Sequence, residues 1–202
     1  MTHSAILTGD LIGSTARPEG VAPAMALLGS VAAEAGRWTG TASKFTRFRG
    51  DGWQFLVPAG QALRAALLVA ARLRGAGALA TRIAIGIGPL QTDGTRDLSD
   101  AAGEAFTASG RALDHMARGQ VWALAGAAPA WAVALVALAE WHSSRWTREQ
   151  AEAMGVMLAE PELTHLAAAA RLGITRQAWQ ARLSGAGFAA WHPALRAFES
   201  GF

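Results

Sequence analysis

One residue constrains this chain more than any other. Asp10 interrupts the run I-L-T-G-D-L-I-G-S-T, residues 6 to 15, which is otherwise apolar up to a Gly-Ser-Thr turn. A carboxylate at the end of a buried strand is costly unless a counter-charge or a bound cation compensates it. A fold that keeps this strand must therefore bring something to Asp10. The sequence offers Asp51, in R-F-R-G-D-G-W-Q-F, as the residue best able to share its pocket. Two acids share a pocket comfortably only around a cation, so the pair points to Mg²⁺ or Mn²⁺ and a nucleotide phosphate.

The surrounding pattern says what would carry such a pair. Residues 4–8 suit a buried strand, and Gly13-Ser14-Thr15 supplies a turn with free backbone amides. Pro18 and Pro23 lead into an Ala/Leu-rich helix over 22–36. Residues 43–49 and 53–57 flank Gly50-Asp51-Gly52, the sequence of a tight hairpin with Asp51 at its tip. A second helix over 61–75 places Leu63, Leu67, Val69, Ala70 and Leu73 at roughly helical spacing and leaves Arg64, Arg72 and Arg74 to solvent. From Thr81 to Gly88, Ile83, Ile85 and Ile87 alternate with small residues, which predicts a strand packed closely on its small side. A polar loop over 91–99, a third helix over 100–117 and a strand over 121–124 follow. The order strand, helix, hairpin, helix, strand predicts an α+β fold, a ferredoxin-like palm extended by one helix and one strand and ending near residue 125.

Residues 126–202 read as a small all-α module, giving a division into 1–125 and 126–202. Helices are expected over 128–141 and 146–158, the second with Thr147 as its cap. Leu166, Ala169 and Ala170, a turn at Gly173, then Ile174, Ala178 and Leu183 have the spacing of a helix-turn-helix, with Thr175 capping its second helix.

Composition narrows the chemistry. At 202 residues and 51% hydrophobic, the chain can build one full core with a small second module. It has no Cys, which excludes disulfides, thiolate zinc sites and thiol catalysis, and its five His are scattered without metal-ligand spacing. Lys44 is the only lysine, and Asn and Tyr are absent, so the dominance of Arg reads as the imprint of a GC-rich genome. Asp10 breaks the stretch that a signal peptide would need, and Gly126 and Pro129 cut the longest apolar tract, so a cytoplasmic protein with no membrane partner is expected.

Four separated segments resemble the class III nucleotidyl cyclases: G-D-L-I-G-S-T, R-G-D-G-W-Q-F, R-I-A-I-G-I-G and D-A-A-G-E-A-F-T-A-S-G-R. With the C-terminal helices added, the chain is most similar to the small SatD family of bacterial proteins. The resemblance implies a two-metal site in which Asp10 and Asp51 hold Mg²⁺ or Mn²⁺, the Leu11 carbonyl assists, and the amides of Gly13, Ser14 and Thr15 receive the triphosphate of a nucleoside triphosphate. It implies that Arg47 and Asp100 stand at the base-recognition positions and that Thr107 and Arg111 stand at the transition-state positions. Thr107 departs from the family, which has Asn there, and Arg47 departs from its Lys, whose point charge a planar guanidinium does not replace. The resemblance also implies a homodimer with each site shared between two copies. The activities that follow are a cyclase or nucleotidyltransferase, or a nucleotide-sensing regulator that contacts DNA.

Charge bears on the last of these. Residues 126–202 carry as many Arg as Glu and no other charged residue except His, so the formal +3 of the chain lies in the first segment. A neutral module is a poor nonspecific DNA ligand. Arg171, Arg176 and Arg182 nevertheless read as a local basic stripe free of acids, with Arg176, Gln177 and Gln180 able to reach base edges.

Overall fold

The computed structural model describes residues 3–40, 43–48 and 50–202. Arg49, which the hairpin reading includes, lies outside them. Five strands form the main sheet: β1 (Ser4–Leu11), β2 (Phe45–Phe48), β3 (Gly52–Pro58), β4 (Thr81–Gly88) and β7 (Trp122–Gly126), in the order β2-β3-β1-β4-β7. The first four strands are antiparallel neighbours in the ferredoxin-like order, and β7 adds to the edge parallel to β4. The palm expected from the sequence is therefore present as a mixed α+β architecture. Between β4 and β7, the short strands β5 (Leu90–Thr92) and β6 (Ala102–Gly103) pair as a ribbon that the sequence did not announce.

The pleat divides the sheet into two faces of different character. Ala5, Leu7 and Leu11 of β1 and Ile83, Ile85 and Ile87 of β4 point to one side, where α1 (Val21–Thr39) and α2 (Ala62–Gly75) cover them. Ala84, Gly86 and Gly88 point to the other, under α3 (Glu104–Asp114). The approach there is close: a Cβ on Gly86 would lie 2.1 Å from the Ala105 carbonyl oxygen and 2.4 Å from the Ser109 nitrogen. That is the tight packing on small residues that the Ile alternation predicts. α3 starts later than the expected residue 100. Asp100 is held in the preceding loop by Thr95, and Ala102–Gly103 are taken up in the ribbon, with Gly103 at φ 149°.

Five helices follow β7: α4 (Ala130–Ser143), α5 (Arg148–Ala159), α6 (His165–Arg171), α7 (Arg176–Gly185) and α8 (Phe188–Ser200). Thr147 opens α5 with a full capping box, its side chain accepting from the Gln150 amide while Gln150 accepts from the Thr147 amide. Thr175 caps α7 by accepting from the Ala178 amide at 3.2 Å, and Gly173 at φ 64° makes the turn before it. α5 lies along α2 and buries Ala153 to Ala159 without a break. Burial of a Leu, Met or Val side chain contributes about 1.5–3 kcal/mol, so this seam is a main part of the fold. A single hydrophobic core runs from Ala5 through α2 to Phe198.

This layer corrects one expectation. Arg64 and Arg72 do not face solvent: α2 lies between the sheet and the later helices, so Arg64 pairs with Glu199 of α8 and Arg72 with Glu34 of α1. Arg74 is exposed but donates to the Ser144 carbonyl. Among the described residues, no helix is long and apolar enough to cross a membrane.

Candidate functional site

β1 ends with Asp10 between two strands. In register, Asp10 faces Gly52 of β3 on one side and Arg82 of β4 on the other. The partner that Asp10 requires is Arg82: Nε donates to Oδ1 at 2.8 Å and Nη2 donates to Oδ2, a bidentate fork. The hydrogen bond to Asp10 raises the Arg82 pKa above its ordinary value; burial opposes this, and the charges of Asp10, Asp114 and Asp51 add to it. One guanidinium thus stands within reach of three carboxylates. The sequence reading assigned Asp10's compensation to a cation shared with Asp51 and passed over Arg82. The missed signal was present: a lone cation in a strand of Ile, Ala and Gly asks for an acid as Asp10 asks for a base.

Asp51 is at the hairpin tip, as expected, and its neighbour Gly52 faces Asp10 across the strand pair. The Leu11 amide donates to the Asp51 carbonyl oxygen at 3.3 Å, which closes β1 onto the hairpin. The Ser14 hydroxyl donates to Asp51 Oδ2, so the turn after β1 is tied to the same carboxylate. In that turn the Ala16 and Arg17 amides both donate to the Gly13 carbonyl oxygen. Among the described residues, the amides of Gly13, Ser14 and Thr15 have no acceptor within the chain. Three free N–H groups beside two carboxylates make a place where an anion and a cation can be bound together.

Thr81 anchors this end of the sheet. Its hydroxyl donates to the Asp10 carbonyl oxygen at 2.7 Å and accepts from the Trp53 indole at 2.8 Å. Gly9 allows the crossing, because a Cβ there would lie 2.3 Å from the Arg82 carbonyl oxygen and 2.4 Å from the Trp53 ring. On the α3 face Thr8 and Ser109 share a buried hydrogen bond of 2.8 Å, and Gln54 donates to Thr8.

The remaining expected positions lie elsewhere. Arg47 is exposed on β2, its Nε donating to the Gly50 carbonyl oxygen at 2.7 Å. Asp100 accepts from the Thr95 amide and hydroxyl, which hold its carboxyl below the usual range. Lys44, which the motif did not point to, ties that loop to β2: it pairs with Asp93 and donates to the Asp93 carbonyl oxygen at 3.0 Å. Thr107 and Arg111 are one turn apart on the exposed side of α3. They line an open cavity of about 690 Å³ with Gln91, Glu104 and Gly126, which includes none of the Asp10–Asp51 group. Within one chain, Asp10, Asp51, Leu11 and Ser14 come together; Arg47 reaches the same hairpin turn at the Gly50 carbonyl, while Asp100 is bonded in its own loop and Thr107 and Arg111 line a separate cavity.

The C-terminal stripe is also changed by the structure. Arg171 is forked onto Glu160 at 2.5 and 3.0 Å, and Arg182 pairs with Glu152 at 3.1 Å. The stripe is therefore not free of acids, because α5 brings glutamates that the local sequence does not contain. Arg176, Gln177 and Gln180 remain exposed on α7.

Comparison with known proteins finds similar solved structures but no family. No family model matches the chain, and no curated protein matches it. Among solved structures, the guanylyl cyclase Cya2 is similar over 58% of this chain and 74% of that one, at 21% identity and a TM-score of 0.40. A bacterial light-regulated adenylyl cyclase is similar over 61% of this chain and 42% of that one, at 16% identity and a TM-score of 0.44.

Proposed function

We propose that this chain binds a nucleoside triphosphate at the end of β1, as a protein of the class III cyclase type. One observation carries the reading: Asp10 ends β1 opposite Gly52, so Asp51 in the adjoining hairpin turn stands beside it, with the free amides of Gly13, Ser14 and Thr15 in the turn that Ser14 ties to Asp51. The amides receive phosphate oxygens, and Arg82 balances the charge that collects there.

The donor set fits a divalent cation. Among the described residues, no three His, Asp or Glu side chains converge as a complete metal cage. Mg²⁺ does not need one, since it is commonly bound by one or two carboxylates with substrate phosphates and water completing its shell. Asp10, Asp51 and the Leu11 carbonyl would hold it, and when bound it would supply Lewis-acid activation of the α-phosphate. Asp10 must then release Arg82, whose fork occupies both of its oxygens in this structure.

Thr107 and Arg111 lie in a separate groove of the same chain, as a site completed by a second copy would have them. In this reading Arg47 and Asp100 contact the base, Thr107 offers a hydroxyl where the family has an amide, and turnover is slow. The SatD-like assignment and the division at residue 125 belong to the same proposal. The helix pair α6–α7 serves packing, because two of its three arginines are neutralised internally.

The test is incubation of the protein with each nucleoside triphosphate and Mg²⁺ or Mn²⁺, with binding measured and products resolved, beside Asp51→Ala. Binding that falls at least tenfold in the variant is expected, with cyclic or oligonucleotide product if the site turns over. No binding of nucleotide or divalent metal at millimolar concentration ends the proposal.

A further inference from the structure

Helix α4 has a solvent face that is as apolar as its core face. Ala132, Val136, Ala139 and Ser143 are buried against β7 and α2. On the opposite side lie Ala130, Val133, Ala134, Ala137, Leu138 and Trp141, with no charged side chain among them. Of the six large hydrophobic residues exposed among the described residues, four are on this helix: Trp131 at 45%, Val133 at 43%, Leu138 at 59% and Trp141 at 54%. A helix that is hydrophobic all round is ordinarily buried all round. This one is covered on a single side.

We propose that the outer face of α4 docks against the same face of a second copy, antiparallel about a two-fold axis. The face is self-complementary about one point, between Leu135 and Val136. Around that centre Ala130 opposes Trp141, Val133 opposes Leu138 and Ala134 opposes Ala137. Small residues thus meet the large one at each end and one another in the middle, where two helices can approach closely. An isologous contact requires this: residue i meets j and j meets i. Trp141 is already held in place, with the Arg145 guanidinium 4.1 Å from its ring centroid.

The area suffices. An exposed half of a Trp or Leu, with the smaller residues added, comes to on the order of 500 Å² per copy, hence about 1,000 Å² for the pair, the lower bound for a specific interface. Apart from Arg145 at the Trp141 end, the face carries no charge to offer an acidic or basic partner. α4 covers the α2 side of the sheet, and the Asp10 end and the α3 groove stay open. The inference therefore stands whether or not the chain binds a nucleotide.

The experiment is sedimentation of the full chain from about 1 to 100 μM, for the native protein and for Leu138→Glu and Ala134→Glu. Both positions are exposed, and circular dichroism confirms that each variant is folded. Without nucleotide, so that no second copy is drawn to the Asp10 end, the native chain is expected at twice its own mass, and each variant is expected to raise the dissociation constant at least tenfold, a shift to monomer. Because the chain has no Cys, Ala134→Cys protein mixed with Ala137→Cys protein reports the antiparallel pairing directly, as a disulfide between unlike chains. A native monomer throughout the range, a dimer that survives both glutamate variants, or native protein that is monomeric and sediments with neutral lipid vesicles through Leu138 would each overturn the proposal.

Discussion

The end of β1 and the α6–α7 surface use arginine in opposite ways. At the first, Arg82 meets Asp10 while Asp51 and Asp114 add further negative charge, and three backbone amides stay free. At the second, Glu160 and Glu152 neutralise Arg171 and Arg182 one for one. The first region retains capacity to bind charged groups, and the second has consumed it in holding helices together. A count of basic residues along the sequence would rank the two regions the other way.

The comparison can be broken hardest through its glycines. Gly9→Ala drives a Cβ into the Arg82 backbone and the Trp53 ring, neither of which can yield, and should cost about 3 kcal/mol or more in denaturant unfolding. On α7, Gly185→Ala meets only the end of the Gln150 side chain, and the expected change stays within about 0.5 kcal/mol. Equal losses for the two would show that the β1 end is not specially packed.

The ion pairs come next. A double-mutant cycle of Asp10→Asn and Arg82→Gln should return a coupling of about 1–2 kcal/mol, reduced by partial exposure from what a buried fork gives. The same cycle on Glu160→Gln and Arg171→Gln should return about 0.2–1 kcal/mol, because both side chains are more than two-fifths exposed. Reversal of that order would remove the distinction drawn between the two regions.

Weaker effects sharpen it. Binding to random duplex DNA at low salt should be slight, and Arg176→Ala should reduce the salt slope by no more than about one. The hydrogen bond from Arg171 lowers the Glu160 carboxyl from its ordinary value. The contribution of that pair is therefore present above the unfolded glutamate pKa and lost as pH falls through the lower folded value. Carboxyl titration followed by NMR, beside Arg171→Gln, reads this directly: the Glu160 midpoint should return to the ordinary glutamate value in the variant.

How much the sequence told follows from the range of the interactions. The Ile alternation set β4 at its observed bounds, Gly50-Asp51-Gly52 set the hairpin, and Thr147 and Thr175 set two helix starts, since each depends on residues a few positions apart. Arg82 sat inside a quoted motif and was still missed, because only strand register places it opposite Asp10. Glu160 and Glu152 were missed as partners of Arg171 and Arg182 for the same reason, the packing of α6 and α7 on α5. The late start of α3 came from Asp100 and the β5–β6 ribbon, where local hydrogen bonding to Thr95 outweighed a helical pattern. For the candidate site, Asp10, Leu11, Ser14 and Asp51 come together as the sequence led one to expect, whereas Thr107 and Arg111 line a separate groove of the same chain.

The seam between α2 and α5 has a consequence for how the protein is made. α2 leaves the ribosome roughly 70 residues before α5, an interval of about 4–15 s at ordinary rates of synthesis. During that time a helix that ends up covered on both sides has only α1 and the sheet to lie against. Its other side, with Leu68 and Ala71 among the residues later covered, must be kept from neighbouring chains. The last third of the chain then works as a built-in chaperone for the first, one that arrives late and stays.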